Sequence, residues 1–120
     1  MKTKTTTTTV TPQNTAKAVG SGNLEVFGTP MMIALMEQAA ALALEDTLQE
    51  GQSSVGTMVN IEHTAPSPLG ATITATAQID KIEGRKVDFT VTAHDNKGEI
   101  GKGTHTRFII DVEKFMTKLK

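Results

Sequence analysis

The stretch Thr29-Pro30-Met31-Met32-Ile33-Ala34-Leu35-Met36-Glu37-Gln38-Ala39-Ala40-Ala41-Leu42-Ala43-Leu44 decides the fold. Thr followed by Pro offers an N-cap hydroxyl and a proline at the first helical position, a strong pair of helix-start signals. From Met31 to Leu44 only Glu37 and Gln38 are polar. Leu48 continues the apolar pattern and Gly51 stands where a C′ glycine belongs, so the spacing predicts a helix from Pro30 to about Glu50. A helix whose first half is apolar all round must be wrapped by other structure. Glu45, Asp46 and Glu50 bring its far end to solvent.

Downstream of Gly51 the period changes from helical to two. Val55, Val59, Ile61 and His63 read as one face of a strand, and Pro66-Ser67-Pro68-Leu69-Gly70 as a turn. Ile73, Ala75, Ala77 and Ile79 alternate with Thr72, Thr74, Thr76 and Gln78. Glu83-Gly84-Arg85 reads as a hairpin turn, Val87, Phe89, Val91 and Ala93 as the next buried face, and Asp95-Asn96-Lys97-Gly98 as another turn. The last strand runs from about Ile100 to Val112, where Gly101 and Gly103 relieve crowding or mark a bulge. Upstream of the helix, the threonine tract Thr3 to Thr11 reads as a first strand, because Thr is β-branched. Pro12 ends it. A Gly-rich stretch and a short apolar strand, Leu24 to Phe27, follow. One long central helix against a curved antiparallel sheet of five to six strands is an α+β layout of the hot-dog kind, a single domain over residues 1–120.

Composition removes several function classes. The 120 residues suit one domain, and a chain this short gains from pairing with a second copy. A formal net charge of -1, no basic run and 3% aromatic residues argue against a nucleic-acid surface. With no cysteine there is no disulfide, thiolate metal site or cysteine nucleophile, and three scattered histidines give no metal-ligand spacing. No apolar run of about 18 residues suggests a membrane span, and no apolar segment follows Lys2 and Lys4 as in a signal peptide. The expectation is a cytoplasmic protein.

Glu37 carries the most information. On a helical wheel Ile33, Ala40, Ala41, Leu44 and Leu48 lie within about 60° of it, so a carboxylate sits amid an apolar stripe. Burying an ionised carboxylate without partners costs several kcal/mol, so it needs a reason. Backbone donors or an ion pair across a dimer interface supply one; a catalytic role supplies another. His63 shares its strand face with Val59 and Ile61 and points towards the helix. A lone histidine there is commonly a satisfied core residue, but a meeting with Glu37 makes a general-base pair. Thr29 either caps the helix or, with free amides at the helix start, serves an oxyanion or an attacking water. His105 and Arg107 read by default as solvated or interfacial, and Arg107 is the better partner for a cofactor phosphate. His94 lies beside a turn and reads as exposed.

Gly28-Thr29-Pro30, Met36-Glu37-Gln38-Ala39-Ala40, Gly56-Thr57, His63-Thr64-Ala65, Glu83-Gly84-Arg85 and Gly101-Lys102-Gly103-Thr104-His105-Thr106-Arg107 together resemble the fluoroacetyl-CoA thioesterase-like branch of the hot-dog superfamily, from about Val10 to Phe115. The resemblance implies a homodimer or a higher assembly of such dimers, with sheets joined edge to edge and active sites at the subunit interface. It implies hydrolysis of a short acyl-CoA by a Thr, Glu and His set falling on Thr29, Glu37 and His63, with no cofactor beyond the coenzyme A of the substrate. Gly56 matches a position near the bound acyl group, and Arg107 matches a last-strand arginine. That branch has an aromatic lid just before its threonine, whereas Ala18-Val19-Gly20-Ser21-Gly22-Asn23 contains no aromatic residue. The resemblance therefore extends to the thioester chemistry and not to the fluoroacetyl group. The segments typical of the hydratase branch and of the His-Gly-Gly branch are absent. Two other readings compete: a hot-dog protein that binds an acyl-CoA or a small hydrophobic ligand without turnover, and a structural dimer in which Glu37 and His63 satisfy each other.

Overall fold

A computed structural model describes residues 2–120. Five antiparallel strands, β1 (Thr3–Thr9), β2 (Gln52–His63), β3 (Thr72–Glu83), β4 (Lys86–His94) and β5 (Glu99–Asp111), form one sheet in the order β1-β3-β4-β5-β2. The two-residue period places Ile73, Ala75, Ala77 and Ile79 of β3 beside Val87, Phe89, Val91 and Ala93 of β4, all buried on the concave face. The helix α2 (Thr29–Leu44) lies in that concavity and buries Met32, Leu35, Met36, Ala39, Ala40, Ala43 and Leu44 against it. Alanine on both surfaces lets helix and sheet approach closely, which compensates for a core with little aromatic volume. Thr6 of β1 donates to the Leu35 carbonyl of the helix at 2.9 Å, so part of the threonine tract is spent on fixing α2.

Several expectations change. The helix stops at Leu44, and a 3₁₀ turn (Glu45–Thr47) replaces its predicted last turn. Asp46 and Thr47 are poor helix formers, and Asp46 pairs instead with Lys2. Leu48 is extended and reaches the core from a loop, while Gly51, at φ 83°, turns the chain into β2 and caps nothing. The segment Leu24–Phe27 is not a strand of the sheet: only isolated bridges, Thr15 with Phe27 and Val26 with Pro68, occur there. A short helix α1 (Ala16–Val19), capped by the Thr15 hydroxyl and ended by Gly20 at φ 77°, precedes it. A last helix α3 (Val112–Thr117) follows β5.

The sheet covers only one side of α2. Ala34 and Leu42 remain exposed, so the helix is not wrapped all round by its own chain. On β2 a bulge between Gly56 and Met58 shifts the register against β5. It turns Ser54 and Gly56 to the concave face with Val59, Ile61 and His63, and puts Val55 on the opposite face. Gly101 and Gly103 of β5 mark close approach, and Gly101 also borders a bulge, where the pairing with β4 steps from Ala93–Gly101 to His94–Glu99. A Cβ at Gly103 would strike the Asn60 carbonyl, and one at Gly101 the Met32 side chain. Among the described residues no helix is long and apolar enough to cross a membrane.

Candidate active site

Thr29 is the first residue inside α2, and the N-cap is Gly28, with no side-chain capping bond. The Thr29 hydroxyl is therefore free for something else. It lies 2.7 Å from His63 Nδ1, at the end of β2. Gly28 takes the Met31 and Met32 amides on its carbonyl, and Pro30 has none to give, so the Thr29 amide is the donor left open at the helix start. His63 is half-buried, and its Nε2 is buried without a hydrogen-bond partner. Burial holds its imidazole below the ordinary value, and the backbone at Ala65 offsets this only in part. Thr29 and His63 line a cleft of about 280 Å³ with Ala16 and Ser21 of the α1 region, Val26 and Phe27.

Glu37 belongs to a second cluster. Arg107 Nη1 donates to its Oε2 at 3.1 Å, and His105 Nε2 lies 3.8 Å from the same oxygen. Arg107 is 8% exposed; its Nε donates to Ser54 Oγ at 2.8 Å and its Nη2 to the Ser54 carbonyl at 3.0 Å. Burial lowers the Arg107 pKa and Glu37 opposes that, while a guanidinium stays charged in either case. With donors committed to Ser54, Glu37 and His105, Arg107 is arranged to hold the Glu37 carboxylate. Gly56 pairs with Arg107 across the strands, and a Cβ there would fall on Glu37 Oε2. Its lack of a side chain is what lets the carboxylate lie against the sheet. Both contacts fall on Oε2, and Glu37 lines a cleft of about 560 Å³ with Phe27, Met31, Ala34, Leu35 and Ala41. The Glu37 side chain is 40% exposed, so it is half open and not the fully buried carboxylate of the helical wheel.

The sequence expected Glu37 to meet His63. Within one chain the structure instead joins Thr29 to His63 and Glu37 to Arg107, His105 and Gly56. Eight residues of helix, about 12 Å, separate Thr29 from Glu37 along α2, and Phe27 borders both clefts. His105, expected at the surface, is 1% exposed and stacks on Phe89 with ring centroids 5.8 Å apart. The available signal was parity: residues 101, 103, 105 and 107 share a strand face with buried Ile109. Ser54 had no signal of its own, because the bulge that turns it inward is invisible in the residue pattern.

A single helix cradled by a five-stranded antiparallel sheet, with titratable residues at the helix start and on its open side, is the architecture of the hot-dog thioesterases. A Thermus thermophilus member of the thioesterase superfamily superimposes with a TM-score of 0.90 at 28% identity, over 98% of this chain and 87% of that one. The family model described as fluoroacetyl-CoA-specific thioesterase matches residues 10–113, and the chain belongs to that family. The fluoroacetyl-CoA thioesterase of Streptantibioticus cattleyicolor is 45% identical over 96 residues, 80% of this chain and 69% of that one. The crystal structure of a phenylalanine-to-alanine mutant of the fluoroacetyl-CoA-specific thioesterase, in complex with fluoroacetate and CoA, has a TM-score of 0.90 at 39% identity, over 96% of this chain and 94% of that one.

Proposed function

We propose that this protein hydrolyses a small acyl-CoA thioester at a site that two copies build together. Membership of the family makes it an acyl-CoA thioester hydrolase and disfavours the reading as a passive binder. In the reaction proposed, Glu37 takes a proton from water as the water oxygen bonds to the thioester carbonyl carbon. The carbonyl oxygen becomes an oxyanion beside the Thr29 amide and hydroxyl, the hydroxyl being held in place by His63. The C–S bond then breaks, the thiolate takes up a proton equal to the one Glu37 received, and a carboxylic acid leaves. Preorganised donors aimed at a developing oxyanion commonly supply several kcal/mol, and a general base a further factor of about 10²–10⁴. Nothing beyond the coenzyme A of the substrate is needed as cofactor, and cytoplasm, where thiols stay reduced, suits a cysteine-free chain acting on a CoA ester.

A second copy brings the two clusters together. Strand β2 is an edge of the sheet, and its Gly56 to Asn60 segment is exposed, Met58 by 43% and Val59 by 44%. A long open edge with apolar residues is a template for pairing. Antiparallel pairing of β2 with its own copy, about a two-fold axis at Asn60 and with the bulge residue Thr57 skipped on each strand, sets Gly56 opposite His63 of the partner subunit. Glu37 lies against Gly56, so that register delivers its carboxylate to the Thr29 and His63 pair of the other chain.

The observation that carries the proposal is the state of Glu37: one oxygen gripped by Arg107, on a side chain that is 40% exposed and lines a cleft. A panel of acetyl-, propanoyl- and butanoyl-CoA, read by CoA release with a thiol reagent, tests it. Glu37→Gln is expected to lower turnover by about 10²–10⁴. Full activity of that variant removes Glu37 from the mechanism, and stabilisation by these esters with no CoA released by the native protein favours the binding module. The 2.7 Å contact between Thr29 and His63 also supports a second reading, in which Thr29 attacks and an acyl-enzyme forms. Mass spectrometry of protein quenched during turnover decides between them, by the presence or absence of an acyl group on Thr29.

A further inference from the structure

We infer that His105 is a positioning residue: as a neutral imidazole it spends its Nδ1 hydrogen on the Met58 carbonyl and presents its Nε2 lone pair to Arg107, holding the guanidinium that aims Glu37. The inference rests on the reading of Glu37 as the base.

His105 Nδ1 lies 2.7 Å from the Met58 carbonyl oxygen. A carbonyl only accepts, so Nδ1 carries the hydrogen, and in a neutral ring Nε2 is then an acceptor. Arg107 Nη1 is 3.3 Å from that nitrogen and donates to it. A protonated ring would turn an N–H towards the N–H of a buried guanidinium, two donors and two cations face to face. The geometry therefore requires the neutral form. Glu37 Oε2, at 3.8 Å, is too far for a hydrogen bond to Nε2, so His105 acts on the carboxylate through Arg107. The charged groups facing the ring are Glu37 from α2 and Arg107 from β5; β2 contributes the Met58 carbonyl and β4 the Phe89 ring.

The β2 bulge makes this arrangement possible. It separates Gly56, opposite Arg107, from Met58, opposite Thr106, so one irregularity sets both the gap that admits the carboxylate and the carbonyl that fixes the ring. Ser54 holds the other side of the guanidinium through its hydroxyl and its carbonyl. Arg107 is thus clamped from both sides, and its remaining direction points at Glu37.

Nitrogen NMR of the histidine rings in the native full-length protein is the first test. The expected result at neutral pH is His105 with Nδ1 protonated and Nε2 bare; the opposite tautomer or an imidazolium overturns the inference. Steady-state kinetics with an acyl-CoA that the protein turns over is the second. His105→Phe keeps the stack on Phe89 and removes the acceptor, and is expected to lower kcat by about ten- to a hundredfold with KM within about twofold, the usual cost of a slightly misplaced group. His105→Gln, whose side-chain oxygen reaches the Nε2 position, is expected to regain most of kcat. Unchanged kcat in His105→Phe, or a Gln variant as slow as the Phe one, refutes a positioning role. Full activity of Glu37→Gln would instead sink the base reading, a result the ring tautomer cannot produce.

Discussion

Replacing Gly56 by Ala adds one methyl group where the Glu37 carboxylate now lies. The new Cβ would fall on Oε2 of Glu37, 3.1 Å from His105 Cε1 and 3.3 Å from Arg107 Nη1. Carbon and oxygen rest at about 3.5 Å, so the carboxylate must retreat by on the order of 1 Å, away from Arg107. Retreat costs little in folding, because the atom that moves is the far end of a flexible side chain on the open side of α2. Gly56 is not among the glycines of positive φ, so alanine adopts its backbone without strain. Catalysis is far less tolerant, since a displacement of about 1 Å costs around 10²-fold. The assay pairs CoA release from the short acyl-CoA panel with a thermal melt of the same sample. The expected result is a fall in kcat of about a hundredfold with the melting temperature nearly unchanged, within about 1 kcal/mol of native stability. Activity within about twofold of native would refute the geometry, for it would mean the carboxylate does its work somewhere other than against Gly56. A large loss of stability would equally show that the site is more rigid than its contacts imply.

Thr29→Ala is expected to lower turnover while changing stability by no more than about 0.5 kcal/mol, because the hydroxyl makes no capping bond; denaturant unfolding that shows a loss near 1 kcal/mol or more would restore the capping role. Stability should also depend on acid. Burial holds the folded-state pKa of both His63 and His105 below the ordinary value of about 6.5. Between that value and the folded-state values the unfolded chain binds more protons, so stability is full above about pH 6.5 and declines as pH falls below it. Melting temperatures flat or rising through that window would contradict the burial of the two rings.

Much of the fold was legible because local and long-range signals agree. The alternation in β3 and β4 survives intact, since both strands are central and one face of each is buried. Thr29-Pro30 located the start of α2 to within one residue, the N-cap falling on Gly28 and not on Thr29. Its end was misread because Leu48 is apolar at helical spacing yet reaches the core from an extended loop, and Gly51 serves a turn. The short helices α1 and α3 bury nothing, so no periodicity announces them. In the site, the contact of Thr29 with His63 was not foreseen, because the sequence reading matched His63 with Glu37. The partners of Glu37 on β2 were not legible, because a one-residue bulge at Thr57 decides that Ser54 and Gly56 turn to the face that carries Glu37. A bulge leaves little trace in residue identity. Parity with Ile109 was enough to bury His105; the polar run around it concealed that.

Subunit complementation addresses the shared site most directly. Glu37→Gln and His63→Asn are each expected to be nearly inactive alone. Mixed in equal amounts, dissociated and reassembled, half of the dimers carry one copy of each chain, and in each of these one site draws Glu37 and His63 from different subunits and is complete. About a quarter of native activity should therefore return. If each chain supplies its own Glu37 and His63 to its own site, every site in the mixture lacks one of them, and no activity above the two separate variants would contradict the account.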